Sequence, residues 1–342
     1  MEAYRVGVLG AGAIGCYVGA RISQVPGVEV RFLGRPRLQA EIAEAGGIRA
    51  ISLEGREIHL PAPCYGTDPA ALRGCDLILV CVKGRHTEAA GAELQSVFSS
   101  ALSCPLVVSL QNGVRNAEVL RAQLPSARVL PGVVGFNVVG QGGGVFRHAT
   151  QGTIQIEQAP ESGRLLEVFL AAGLEVEAHA DMLSRQWTKL VVNLNNAISA
   201  LSNASIRDMI LDGAYRRLVR QVVAEGIAVL GSAGVPTSSF QGIPLGLFPS
   251  LLALPTPLVR LVAGAQLRLD PEARSSMWQD LDQRRETEVE FLNGEIVRIA
   301  DEHGLPAPLN RRLVELVHEA ERAGQGSPEL SPRALARALG LA

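Results

Sequence analysis

Aromatic residues make up only 4% of this 342-residue chain, and its 32 Lys and Arg nearly balance its 34 Asp and Glu. A nucleic-acid-binding surface needs a basic stripe interleaved with aromatic rings, so no nucleic-acid partner is expected. Cysteine is sparse as well, with five residues at positions 16, 64, 75, 81 and 104. The number is odd, no CxxC pair occurs and no histidines cluster beside them, which argues against a disulfide framework and against a zinc site. A strand pattern begins by about residue 5, leaving no room for a basic, apolar and cleavable leader, and the expected location is cytoplasmic. Long uninterrupted apolar runs are also lacking. The nearest to one, residues 238–259, carries no charge, but Pro244, Pro249, Pro255 and Pro257 would break a spanning helix. A pair of short helices over a substrate cleft or a subunit interface is expected there, and no membrane span.

Glycine, by contrast, is placed with purpose at the N-terminus. Arg5-Val6-Gly7-Val8-Leu9 reads as a strand that runs into Gly10-Ala11-Gly12-Ala13-Ile14-Gly15. In a dinucleotide-binding turn Gly10 permits the tight bend, Gly12 admits a pyrophosphate to the backbone, and Gly15 lets the next helix pack on the sheet. The second strand ends at Gly34-Arg35-Pro36-Arg37. A carboxylate there would accept bonds from the two adenine-ribose hydroxyls of NAD, whereas arginine suits a 2′-phosphate, so Arg35 points to NADP(H). Anywhere else in the chain Arg35 and Arg37 would read as solvated loop charges.

Up to residue 180, strand-length apolar runs alternate with helical patterns, the form of a parallel sheet wrapped by helices. Strands are expected at 6–10, 29–33, 77–82, 106–110, 129–136, 153–157 and 175–178, and helices at 12–24, 87–99, 116–123 and 163–172. Ligands in such sheets bind at the carboxyl ends of strands. Lys83 and Gln111-Asn112-Gly113 stand at two such ends. From 181 onward the pattern changes to helices at 184–202, 205–233, 275–303 and 311–323, with the last fifteen residues read as a loosely held tail. The expected fold is therefore an α/β Rossmann-type domain with a mostly parallel sheet over 1–180, followed by an all-α domain over 181–342. The apolar surface expected of the helical domain suits a homodimer.

Within the first helix of that second domain, Lys189, Asn193 and Asn196 fall on one face at offsets of four and three. A solvated face would normally carry Glu and Arg, so this stripe reads as facing a cleft or a ligand, the alternative being an ordinary wet face. A lysine partly desolvated in a cleft has a lowered pKa. It could bind an anionic 2-oxo acid and protonate the alkoxide that forms as hydride arrives. In the helix expected at 275–303, Ser276 and Asp280 are i and i+4, with Glu288 about three turns further on. Ser276 could donate to a carboxylate, and Glu288 could accept from a hydroxyl and balance the lysine. Taken singly, Ser276 also reads as an N-cap and Glu288 as a surface acid.

With these residues in place the chain resembles the ketopantoate reductase family. The resemblance runs from Gly10-x-Gly12-x-x-Gly15 through Lys83, Gln111-Asn112-Gly113, Lys189-Leu190-x-x-Asn193 and Ser275-Ser276-Met277-x-Gln279-Asp280 to Thr287-Glu288-x-x-x-x-Asn293-Gly294. It implies that Gly10 to Gly15, Arg35, Lys83 and Asn112 bind NADPH, with Asn112 also near the substrate. It implies Lys189 as proton donor, Asn193, Asn196 and Ser276 as binders of the ketopantoate carboxylate and hydroxyls, and Glu288 as a contact to the nicotinamide-side ribose when the two domains close. The implied reaction is reduction of ketopantoate to pantoate for pantothenate and coenzyme A synthesis.

Three departures stand out. Asn195, Asn196 or Ala197 could fill the second substrate-asparagine position; Ala273 stands where some members offer another asparagine; and the proline-rich stretch between Gly234 and Ser275 is longer than in compact members. These keep a related reductase of another 2-oxo acid, or an opine-type dehydrogenase, in view as alternatives.

Overall fold

The structure is a computed structural model that describes residues 3–99, 104–262 and 273–341. Contacts divide the chain into two compact units, Met1–Met182 and Leu183–Ala342. The strands of the first are β1 (Tyr4–Leu9), β2 (Val28–Leu33), β3 (Ile48–Ile51), β4 (Glu57–Leu60), β5 (Cys64–Gly66), β6 (Leu77–Val80), β7 (Leu106–Ser109), β8 (Val129–Val134), β9 (Val138–Gly142), β10 (Val145–His148), β11 (Ile154–Glu157) and β12 (Val176–His179). Its helices are α1 (Ala13–Ile22), α2 (Pro36–Glu44), α3 (Thr87–Phe98), α4 (Asn116–Gln123) and α5 (Ser162–Ala171).

Eight strands form the main sheet in the order β12-β11-β8-β7-β6-β1-β2-β5. All its pairings are parallel except β11 with β8. Leu77, Ile78, Leu79 and Val80 of β6 are all fully buried, because helices cover both faces of the sheet. Strand alternation sends Leu77 and Leu79 into one core, with Val6 and Val8, and Ile78 and Val80 into the other, with Leu94 and Leu120.

The mostly parallel sheet and the helical second half are as the sequence predicts. A second sheet, in the order β4-β3-β10-β9, is not. Its strands are short, and β3 finds its parallel partner β10 far along the chain, Arg49 opposite Val145. Nothing local in the sequence announces such a pairing. Ile48, Ala50, Val138 and Phe146 of this sheet share the core with Tyr17 of α1.

The second unit contains α6 (Met182–Val192), α7 (Asn195–Ser202), α8 (Ile206–Leu211), α9 (Gly213–Ser232), α10 (Phe248–Leu252), α11 (Thr256–Val262), α12 (Ser276–Asp282), α13 (Asn293–His303), α14 (Pro308–Ala323) and α15 (Pro332–Ala338). A two-residue-per-strand hairpin, β13 (Ser239–Phe240) and β14 (Ile243–Pro244), qualifies the all-α expectation.

Three of the predicted long helices are broken. The helix expected at 184–202 is interrupted between α6 and α7 at Asn193 and Leu194, where asparagine favours a turn over a helix. Asp212 ends α8 and caps α9, its side chain accepting from the Ala214 amide at 2.6 Å. The helix expected at 275–303 stops at Asp282, and Arg284 takes a left-handed φ of +54°. The proline-rich stretch forms the hairpin, a 3₁₀ turn (Leu245–Leu247), α10 and α11, and among the described residues no helix is long and apolar enough to cross a membrane. The tail is not loose. Ser331 caps α15, Leu335 is fully buried, and the Leu330 amide donates to the Leu201 carbonyl at 2.9 Å.

Candidate active site

The turn between β1 and α1 separates two reasons for glycine. Gly10 takes φ +95°, and a Cβ there would stand 2.5 Å from the Val82 backbone nitrogen; one on Gly15 would stand 2.5 Å from the Gly10 oxygen. Both are required by the protein's own packing. A Cβ on Gly12 would meet no atom within 4 Å, so the fold alone does not demand glycine at this position. A ligand drawn close to the backbone would. The Gly10 and Ala11 amides both donate to the Leu33 carbonyl, at 2.9 and 3.0 Å, and Gly12 donates to Gly10 at 2.7 Å. The amides that remain for an anion are those of the first turn of α1, beginning at Ala13 and Ile14, which no helical carbonyl reaches. This donor set and the open approach at Gly12 fit a dinucleotide pyrophosphate.

Arg35 is exposed at the start of α2. Its Nη2 lies 3.3 Å from His86 Nε2, and Arg85 Nε donates to the same nitrogen at 3.2 Å. With guanidinium groups as the donors, that nitrogen accepts and Nδ1 carries the imidazole proton. Sequence reading passed over Arg85 and His86. The signal lay in topology: β6-β1-β2 are consecutive in the sheet, so loops leaving β6 and β2 flank the glycine turn that leaves β1. Lys83 opens the 3₁₀ turn Gly84–His86 in the same loop.

Beyond β7, Gln111 turns inward. Its Oε1 accepts from Ser109 at 2.9 Å and its Nε2 donates to Thr87 Oγ1 at 2.8 Å, while Asn116 Nδ2 donates to the Asn112 carbonyl at 2.6 Å. Gln111 thus fixes the loop, and Gly113 at φ +94° completes the turn that presents Asn112, which is half-buried.

In the second unit Lys189 occupies the last turn of α6. Burial pushes its ammonium down to about 8, with Glu288 pulling in the opposite direction. Asn193 lies in the helix break and Asn196 in the first turn beyond it, their amides bonded to the Lys189 and Asn193 carbonyls at 3.0 Å each. The stripe is therefore carried by a kink and not by one straight face. Asn195 and Asn196 are half-buried, whereas Ala197 is fully buried in the core.

Ser275, not Ser276, caps α12: its side chain accepts from the Trp278 amide at 3.1 Å and reaches the Asn196 carbonyl at 3.3 Å. This ties the start of α12 to the start of α7 and leaves the half-buried Ser276 hydroxyl out of the cap. Asp280 is buried. Glu288 does not continue the helix of Ser276. It stands before a separate 3₁₀ turn, Val289–Phe291, because the chain leaves α12 through the Arg284 turn. Lys189 and Glu288 are nevertheless brought into electrostatic range of each other.

Along most of its length the chain is similar to known proteins. The sequence matches the family "Ketopantoate reductase PanE/ApbA" over residues 6–161 and its C-terminal counterpart over residues 181–321. A 2-dehydropantoate 2-reductase of Archaeoglobus fulgidus is 31% identical over 94% of this chain and 99% of its own length. The solved structure of a PanE/ApbA family ketopantoate reductase from Ralstonia eutropha is 32% identical, covering 94% of this chain and 99% of that one, with a TM-score of 0.77. D-mandelate dehydrogenase, solved with NADH and anilino(oxo)acetate, shares the fold at a TM-score of 0.74 with 20% identity. On its motifs, its fold and these matches, the chain belongs to the PanE/ApbA ketopantoate reductase family.

Proposed function

We propose that this protein is an NADPH-dependent 2-dehydropantoate 2-reductase, a cytoplasmic homodimer that reduces a small 2-oxo acid for pantothenate synthesis. The observation that carries the reading is Lys189, whose pKa is lowered to about 8 by burial beside Glu288. An amine of that pKa is a competent acid near neutral pH. The names of the relatives support the substrate, and Arg35 with Arg85 and His86 supports the 2′-phosphate of NADP(H).

Bound NADPH would supply hydride chemistry at C2 of the oxo acid. Lys189 donates its ammonium proton to the carbonyl oxygen as charge develops there, and the neutral amine is reprotonated from water. Glu288 keeps Lys189 charged before the transfer. Asn193, Asn196 and Ser276 orient the substrate carboxylate and hydroxyl. The first-turn amides of α1, with Gly12, would hold the pyrophosphate of the cofactor and Arg35 and Arg85 its 2′-phosphate, with Lys83 and Asn112 in the loops that follow β6 and β7.

A second reading, a reductase of another 2-oxo acid or an opine-type dehydrogenase, draws on one feature: Ala273 offers no side-chain hydrogen bond to a substrate hydroxyl. NADPH consumption with ketopantoate against a panel of branched and aromatic 2-oxo acids, each repeated with NADH, decides between them. Preference for ketopantoate and NADPH is expected. Turnover with a different oxo acid alone would move the protein to the second reading.

A further inference from the structure

The turn that carries Glu288 is held from both sides by one histidine. His318 of α14 places Nε2 2.7 Å from Glu290 Oε1 and Nδ1 2.7 Å from Glu321 Oε2. Glu321 uses its other oxygen to accept from the Thr287 amide at 2.6 Å, and Thr287 Oγ1 accepts from the Val289 amide at 3.2 Å. Glu288 therefore sits between an anchored residue before it and an anchored residue two places after it. Glu290 reaches the histidine by passing over Gly294, where a Cβ would lie 2.5 Å from Glu290 Oε2. Glycine at 294 leaves this passage open.

Two carboxylate oxygens at hydrogen-bond distance from the two ring nitrogens require an N–H on each nitrogen. A neutral imidazole has one such donor, and its second nitrogen would face an oxygen lone pair with lone pair. From this geometry we infer that His318, as the imidazolium, is a positioning residue for Glu288, and through it for the charge of Lys189. The inference rests on the reading of Glu288 and Lys189 as site residues.

Among the described residues the charged groups acting on the ring are Glu290, from the turn, and Glu321, from its own helix. Burial works to lower the His318 pKa, and these two carboxylates outweigh it and raise it. Burial works to raise Glu321, and its bonds from Thr287 and His318 outweigh that and lower it. The sign follows: the clamp is intact above the Glu321 pKa and below the raised His318 pKa, and opens as pH climbs through the latter.

The test begins on the free chain. Histidine ¹³C NMR should show His318 titrating above the ordinary value of about 6.5, and Glu290→Gln should lower it. Titration at or below the ordinary value would overturn the inference. The ionisation of Lys189 is then read from the pH dependence of its acylation by a small amine-reactive ester, followed by mass spectrometry. His318→Gln should lower the Lys189 pKa by about half a unit, a typical effect of displacing one nearby charge. Glu288→Gln should do the same, and the double variant should add little beyond either, since both act on one interaction. A His318→Gln chain of lowered melting temperature but unchanged Lys189 ionisation would make the histidine merely structural. Should that variant not fold, Glu290→Gln, at an exposed position, carries the same test. With NADPH and the preferred oxo acid, His318→Gln should lower kcat about tenfold, as for imperfect placement of a proton-transfer group, and leave KM nearly unchanged. The NMR and acylation arms need no substrate, so loss of the ketopantoate assignment and loss of the His318 role give different results.

Discussion

The two units gather their polar candidates by opposite means. In the first, Arg35, the glycine turn, Lys83 and Asn112 each follow the carboxyl end of a strand, and those strands, β2, β1, β6 and β7, are consecutive in the sheet. Parallel register alone sets the loops side by side. In the second, the candidates stand at or beside helix ends: Lys189 in the last turn of α6, Asn193 in the break and Asn196 in the first turn of α7, Ser276 at the first position of α12, Glu288 before a 3₁₀ turn. The first arrangement is fixed by topology and the second by packing. A substitution in the first unit should therefore act on cofactor binding, and one in the second on substrate placement, proton transfer and its pH dependence.

The largest effect should separate these roles outright. Lys189→Ala is expected to lower kcat by about 10² to 10⁴, the usual worth of a positioned general acid. NADPH affinity, measured by fluorescence titration, should stay within about twofold, since no cofactor-binding group is removed. A variant that keeps near-normal turnover would remove Lys189 from the chemistry.

The glycine turn offers a contrast of its own. Gly12→Ala should change the melting temperature little, because a Cβ there meets no described atom within 4 Å, and should cost at least about tenfold in NADPH affinity as the methyl group occupies the pyrophosphate approach. Gly10→Ala should do the reverse. Its Cβ meets the Val82 backbone at a positive φ, a strain on the order of 1–3 kcal/mol that appears as a lower melting temperature. Equal destabilisation by the two changes would mean that Gly12 serves the fold and not a ligand.

That contrast also explains what could be read from the chain alone. The dinucleotide turn is legible because strand, glycines and helix are contiguous, and Arg35 can be singled out on the same ground, one residue past the glycine that follows β2. Arg85 and His86 were missed because their relation to Arg35 exists only once β6 and β2 flank β1. In the second unit helical periodicity predicted that Lys189, Asn193 and Asn196 share a face, yet it could not show the break at Asn193 and Leu194. It also carried Glu288 along a helix that ends at Asp282. Apolar spacing persists through such breaks, since the buried side of the chain stays buried, while the backbone leaves the helix for reasons of capping and packing. The β3–β10 sheet was invisible for a related reason: its strands are short and their partners distant.

A smaller effect is expected at the cationic rim. Arg35→Ala should weaken NADPH by about 10- to 100-fold, as for loss of hydrogen bonds to a charged group, and leave NADH nearly unaffected. Arg85→Ala should act in the same direction, since both guanidiniums meet at His86. Equal losses for both cofactors would mean that these arginines do not read the 2′-phosphate.

The smallest effect bears most directly on the second unit. Lys189 must be protonated to act as an acid, and its pKa is lowered to about 8, so kcat/KM for reduction should fall as pH rises through that value. Burial disfavours the ammonium and the Glu288 carboxylate favours it, with burial the stronger of the two. Removing the carboxylate charge by Glu288→Gln leaves burial unopposed, so the basic limb of the profile should move to lower pH, by less than about one unit for a single partly solvated neighbour. The direction is diagnostic. A shift to higher pH would mean that Glu288 opposes the charge on Lys189, and an unshifted limb would mean that the two residues, placed together by breaks in different helices, do not act on each other at all.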